Sequence, residues 1–206
     1  MQKIEQTSFE KYYDIKSAAE LGVLAQAIAE CVSSAFQGGV TEEDTIRHMS
    51  GDIIMVNREH NSDRVNAFSA TVFASPNEIF NSETISDQKG AYFAAATVRK
   101  EAQGRGLYKA MNVERVLEAL DTVVPLIFTR TQNPRVQAGI EAVLEQLVES
   151  NKIGSYRTER IKVPGAYGQM LTKEKPYSDS ISFDELNLEA GDAYIILFHI
   201  DYGTAR

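Results

Sequence analysis

Two apolar runs joined through one helical segment constrain this chain more than anything else in it. AYFAAATV, residues 91–98, is almost uninterrupted apolar sequence, and so is most of PLIFTRT, residues 125–131. A strand with one wet face alternates polar and apolar residues, whereas a continuous apolar run implies burial on both faces. Between the runs, Ala110, Val113, Val116, Leu117 and Leu120 recur at helical spacing, in a helix expected to reach about Leu120. NPRVQAGIEAVLEQL follows the second run, with Pro134 suited to a first helical turn and Val136, Ile140, Val143, Leu144 and Leu147 on one face. Strand, helix, strand, helix at this spacing predicts a right-handed crossover between parallel strands.

The remainder is arranged around that core. Leu21, Leu24, Ile28, Cys31 and Val32 predict a helix over residues 18–36, stopped by Gly38 and Gly39. Thr41 with Asp44 is expected to open a second short helix. Residues 52–58 and 65–74 are two apolar runs around the polar EHNSD, the pattern of a hairpin. Residues 75–90 are polar and turn-rich and are expected to be a loop. A strand is expected near 160–166, then a loop to Ala190, then a buried closing strand over 192–201. The expectation is a single α/β domain of 206 residues.

Composition removes several classes of function. No apolar stretch approaches the ~18 residues of a membrane span, and the N-terminus lacks a signal-peptide core. A formal net charge of −8 argues against a nucleic-acid partner, which needs a basic footprint. The one cysteine, Cys31, allows no internal disulfide, so a reducing cytoplasmic setting is expected; on the core face of its helix it reads as a small hydrophobe. His48, His60 and His199 are scattered without ligand spacing, so no metal site is expected. Glu141, Glu145 and Glu149 form one acidic helical stripe, read as a solvated face.

Chemistry concentrates at EAQGRGLYKAM, between the first apolar run and its helix. A helix starting near Gln103 or Gly104 leaves the N–H groups from about Gly104 to Tyr108 without intrahelical partners. With the helix dipole, and glycines that present no Cβ, such a junction binds anions. Arg105 adds a cation, flanked by Lys100 and Lys109. An ordinary strand-to-helix turn accounts for the same string. The P-loop pattern is absent, and a dinucleotide fingerprint fails because Lys109 stands where a third glycine is needed.

The string V-x-x-x-x-Q-G-R-G-L, Val98 to Leu107, resembles the acetyl-CoA pyrophosphate loop of the GNAT superfamily of N-acetyltransferases, whose motif [QR]-x-x-G-x-[GA] falls here on Gln103, Gly106 and Tyr108. The buried strand before it and a following strand ending in T-Q-N-P fall where that family has them. The resemblance covers residues 52–147 most strongly and the acyl-CoA-binding core at about 91–147. It implies a mixed, mostly antiparallel sheet with a central βαβ crossover and helices on both faces. It also implies that the backbone of Ala96, Thr97 and Val98 pairs with the pantetheine arm of acetyl-CoA, and that the N–H groups of Gln103, Gly104, Arg105, Gly106, Leu107 and Tyr108 cradle its pyrophosphate. Asn133 matches the family asparagine that contacts pantetheine, and it is equally suited to cap the next helix.

Two positions depart from the family pattern. The last small residue of the loop is Tyr108, whose ring goes either over the cofactor or, by preference, into helix–sheet packing. Many members carry a tyrosine seven residues after the loop asparagine to protonate the leaving thiolate; here that residue is Ile140. Tyr92 and Tyr167 are the catalytic candidates, with Glu101, Tyr156 and Tyr177 as further acids or bases. The leading expectation is acetyl transfer from acetyl-CoA to a primary amine of a small molecule or peptide, in a ternary complex formed where the two parallel strands splay apart. An acyl-CoA-binding protein with weak or lost catalysis, and a nucleotide-binding regulatory domain, are the alternatives. A homodimer is compatible with this reading, and the acceptor amine is not specified by it.

Overall fold

The structure is a computed structural model that describes residues 8–36, 45–46, 48–167 and 182–203. Its strands are β1 (Glu10–Ile15), β2 (Gly51–Arg58), β3 (Val65–Ala74), β4 (Gly90–Val98), β5 (Leu126–Thr131), β6 (Ser155–Val163) and β7 (Ala193–Asp201). The helices are α1 (Val23–Phe36), α2 (Pro76–Phe80), α3 (Leu107–Asp121) and α4 (Pro134–Glu149). The strands form one mixed sheet in the order β1-β2-β3-β4-β5-β7-β6, mostly antiparallel, with β4 and β5 as its parallel pair and helices flanking it. The chain groups into two compact units, Met1–Val72 with Ala94–Met111, and Phe73–Phe93 with Asn112–Arg206.

In the first unit, β2 and β3 pair antiparallel with Ile54 opposite Ala70 and Val56 opposite Phe68. Those four residues meet Leu24, Ile28, Cys31 and Val32 of α1 in one apolar cluster. Each fully buried aliphatic side chain of this kind stabilises by about 1.5–3 kcal/mol, so the cluster holds α1 on its strands. All five apolar residues expected on the face of this helix are buried. The expected continuous helix is nevertheless broken. Ala18–Leu21 form a 3-10 turn, and Gly22, at φ +55°, redirects the chain before α1 begins.

In the second unit, the registered parallel pairs are Ala91–Ile127 and Tyr92–Phe128. Gly90 stands at the start of β4 because a Cβ there would meet the Leu126 carbonyl oxygen. Ala91, Phe93 and Ile127 pack with Val116 and Leu120 of α3, with Ile140, Val143, Leu144 and Leu147 of α4, and with Ile196 and Phe198 of β7. β7 pairs antiparallel with both neighbours, from Leu126–His199 to Thr131–Tyr194 and from Ser155–Asp201 to Val163–Ala193.

Several expectations are corrected. The 75–90 segment is not all loop: α2 opens on a capping box in which the Ser75 hydroxyl accepts from Glu78 N–H and the Glu78 carboxylate from Ser75 N–H. The strand expected near 160–166 runs Ser155–Val163, because β7 supplies a full-length partner there. β1 was not expected; it is a half-exposed edge strand whose polar sequence carries no buried face. The acidic stripe is not wholly solvated, since Glu141 accepts from Thr158 Oγ1 at 2.9 Å and Glu145 from the Tyr156 hydroxyl at 3.4 Å. The helix expected at Thr41–Asp44 and its Gly38–Gly39 stop lie outside the described residues.

Candidate functional site

The glycine junction is built in the first unit. β4 ends at Val98, and buried Arg99 fastens the strand end to β3 by donating its N–H to Asn66 O and its Nε to Val65 O, both at 2.8 Å. One 3-10 turn, Lys100–Ala102, follows. Gln103 then donates its N–H to Lys100 O at 3.3 Å and its side-chain amide to Val98 O at 3.1 Å. The chain next takes positive φ twice, +76° at Gly104 and +79° at Gly106, a conformation that favours glycine. Nothing lies within 4 Å of the Cβ that either glycine lacks, so the torsion, not space, demands glycine.

α3 therefore starts at Leu107, later than the expected Gln103 or Gly104, because the two left-handed residues must be completed first. Its first i→i−4 bond runs from Ala110 N to Gly106 O at 3.0 Å, so the N–H groups of Leu107 and Lys109 lie ahead of the helical ladder. Successive N–H groups at alternating backbone torsions, capped by a helix dipole, form an anion-binding concavity. Gln103 departs from the expected cradle, since its own N–H is already donated to Lys100 O. Beneath the loop, Ala67, Val98, Ala102, Leu107 and Met111 form a buried cluster, and Tyr108 packs half-buried against it. That is the packed placement preferred for its ring.

Charge around the loop is arranged locally. Arg105 donates to Glu101 O at 3.0 Å, which folds its guanidinium back over the turn. Glu101 accepts from Ser34 Oγ at 3.2 Å and pairs with Arg64 at 3.4 Å. Its own backbone N–H, with Ser34 and Arg64, holds its carboxyl below the usual carboxylate range. A carboxylate so stabilised is a weak base.

The tyrosine candidates belong to the second unit. Tyr92 is buried, stacks on Phe128 with ring centroids 5.1 Å apart, and meets Phe80 edge-on at 5.4 Å. Burial pushes its phenol above the ordinary value of 10, against the opposing charges of Arg130 and Arg115. It is therefore a neutral phenol at physiological pH, equipped to give a proton rather than take one. Tyr167 donates its hydroxyl to Arg130 O at 2.9 Å, and the Arg130 guanidinium lies 4.5 Å from its ring centroid. The same guanidinium is 5.9 Å from the Phe80 ring. Phe80 and Arg130 thus gather Tyr92 and Tyr167 into one cluster. Tyr156 is elsewhere, bonded to Glu145 on α4, its phenol raised first by burial. Tyr177 lies outside the described residues.

Asn133 caps α4: its Oδ1 accepts from Arg135 N–H at 2.9 Å, and Thr131 Oγ1 accepts from its own N–H at 3.0 Å. The cap occupies the carboxamide oxygen and leaves the amide NH2 out of it. Ile140 is 1% exposed within the apolar core. Cys31 is buried and its thiol is pushed up to about 11 by burial, as befits a core hydrophobe. Among the described residues no group of three His, Cys, Asp or Glu could hold a metal ion, and no helix is long and apolar enough to cross a membrane. A polar surface depression lined by Arg58, Glu59, His60 and Asp63 contains none of the candidate residues.

Among the polar residues that escaped sequence reasoning are Asn112 and Arg115, buried on α3, and Arg130, half-buried on β5. Arg115 places its guanidinium 4.0 Å from the Phe93 ring centroid. The signal for Arg130 was present, as a lone charge inside the apolar run LIFTRT.

No protein-family model matches the sequence, and no curated protein matches it at a significant level. Among solved structures, Naa20 of Chaetomium thermophilum in complex with a bisubstrate analogue is similar in fold, with a TM-score of 0.55 at 14% identity over 92% of this chain and 85% of that one. The ribosomal-protein-S18-alanine N-acetyltransferase of Escherichia coli also reaches 0.55, at 12% identity over 97% and 98%. A protein assigned to the GNAT family of acetyltransferases, from Desulfovibrio desulfuricans, gives 0.52 at 16% identity over 94% and 98%. Strand order, the parallel β4–β5 pair and these likenesses agree: the chain has the fold of the GNAT superfamily of acetyltransferases.

Proposed function

We propose that the protein is an acetyl-CoA-dependent N-acetyltransferase that moves an acetyl group directly to a primary amine of a small molecule or peptide. The observation that carries this reading is the Gly104–Tyr108 turn. Two positive-φ glycines lead directly into a helix start, in the position where the superfamily resemblance expects a pyrophosphate. The residues fit such a group. The N–H groups of Gly104, Arg105, Gly106, Leu107 and Tyr108 hold it, the Gln103 side chain braces the turn on Val98, and Arg105 supplies positive charge. The backbone of Ala96, Thr97 and Val98 pairs with the pantetheine arm as an added strand, and the Asn133 NH2 group is its second contact. Acetyl-CoA supplies an acyl group activated as a thioester.

The chain's own residues then position and handle protons. An ammonium must lose its proton before it can attack, and much of the rate comes from holding the amine against the acyl carbon. Tyr92, a neutral phenol in a dry aromatic setting, is the proton donor to the departing thiolate, and Tyr167 shapes the wall beside it. The S18-alanine enzyme is named for N-acetyl transfer and Naa20 is bound to a bisubstrate analogue, which agrees with this reading.

A second reading, an acyl-CoA-binding protein without catalysis, draws on Ile140, buried where the resemblance expects a catalytic tyrosine. Thermal unfolding separates the options. Acetyl-CoA at about 100 times its dissociation constant should stabilise the fold by about 2.7 kcal/mol, with no shift from ATP or NAD. Release of CoA thiol on adding amines then distinguishes enzyme from binder.

A further inference from the structure

Arg130 is a cation without a counter-ion among the described residues. It stands on β5, half-buried, and no carboxylate of the described residues lies within ion-pair distance of it. Its Nη1 donates to Ala166 O at 2.9 Å, and its Nε is buried with no acceptor among the described residues. An N–H on a charged group left unsatisfied inside a protein is costly, so a half-buried guanidinium kept without a counter-ion gains from a ligand acceptor at its reachable Nη groups.

The neighbours hold the guanidinium in place without neutralising it. Tyr167 lies under it at 4.5 Å and returns its hydroxyl to the Arg130 carbonyl at 2.9 Å, while Tyr167 N–H is tied to Gly191 O at 3.0 Å. Phe80 stands 5.9 Å away and touches Tyr92, which stacks on Phe128. The result is a planar fork of donors, pre-positioned by a carbonyl and a ring, its charge intact, in an aromatic setting. Such a fork matches the planar geometry of a carboxylate, which it can engage through two parallel N–H bonds. One cation between aromatic rings suits a monoanion better than a phosphate dianion.

We propose that Arg130 binds the carboxylate of the acceptor, so that the amine acetylated by this protein belongs to a small amino acid or a closely related amino-carboxylate. This rests on the acetyltransferase reading and names its substrate class. Phe80 bridges the anchor to Tyr92, so the carboxylate and the proton donor are held by one aromatic cluster.

The test uses acceptor pairs that differ in the carboxylate: L-lysine against cadaverine, and β-alanine against β-alaninamide. Each is measured for binding by thermal shift and calorimetry, with and without CoA, and for thiol release with acetyl-CoA. Wild type should prefer at least one carboxylate member by roughly 10–100-fold, the range of a charge-assisted pair. Arg130→Met should erase that preference by weakening the carboxylate member alone, and Arg130→Lys should restore part of it. The acetyl-CoA shift, unchanged in both variants, shows that the fold survives. Equal binding and turnover within every pair in wild type, or a preference that persists in Arg130→Met, overturns the inference. Loss of both members together assigns Arg130 a purely structural role and overturns it too. The binding arm without CoA keeps this result separate from the acyl donor: carboxylate-dependent binding that needs Arg130 upholds the anchor even where acetyl-CoA produces no shift.

Discussion

Replacing Gly106 by alanine isolates what the loop's shape contributes to binding. At φ +79°, and with nothing within 4 Å of the new Cβ, the substitution adds torsional strain and no collision. For an L-residue that strain is about 1–2 kcal/mol. The exposed turn can relieve it by rotating to negative φ, which swings the N–H donors out of alignment. The strain must then be restored each time acetyl-CoA binds. The dissociation constant should rise roughly 5–30-fold, the equivalent of 1–2 kcal/mol. Isothermal titration with acetyl-CoA reads this directly. Gly22→Ala is the matched control: φ is +55°, nothing lies within 4 Å of its Cβ, and it belongs to the approach to α1. It should lower stability by about 1–3 kcal/mol and leave acetyl-CoA affinity unchanged. Equal affinities for wild type and Gly106→Ala would refute the claim that the positive-φ turn forms the binding surface. So would an equal loss of affinity in the Gly22 control.

Three further outcomes are expected. Arg105→Glu reverses a charge on an exposed turn, so acetyl-CoA affinity should fall about tenfold or more, less steeply at high salt, with the unfolding midpoint unchanged. Cys31, with its thiol near 11 against an ordinary 9.0, is protonated at pH 8 and should not react with a thiol reagent until the protein is unfolded. Because the folded value is the higher one, its contribution to stability is intact below about pH 9 and is lost as pH rises towards 11, which unfolding at stepped alkaline pH will show. Ile140→Tyr forces a larger, polar side chain into a site 1% exposed; it should destabilise by about 1–3 kcal/mol and give no increase in thiol release.

What could be read from the sequence followed from how local the signal was. The apolar faces of α1 and α4 are set by 3.6-residue periodicity, and the residues expected on them are buried, Val136 being half-buried. The capping box of α2 was equally local, as Ser75-Pro-Asn-Glu78, and was overlooked because its five-residue helix buries only Pro76. β1 had no comparable signal, since an edge strand needs no apolar face and Tyr13 is 56% exposed. The start of α3 turned on two glycine torsions that residue type permits but does not specify. The Tyr92–Phe80–Arg130–Tyr167 cluster was the least accessible. β5 brings Phe128 beside Tyr92, Gly191 holds the backbone of Tyr167, and separations of up to 87 positions (167 − 80) leave no local pattern.

Amide hydrogen exchange on the full chain, with and without acetyl-CoA, tests the central claim most directly. The N–H groups of Gly104 to Tyr108 should become strongly protected when acetyl-CoA binds, with smaller protection at Ala96, Thr97 and Val98. Binding that leaves residues 104–108 unprotected would contradict the account, because the acyl donor would then be held by some other part of the fold.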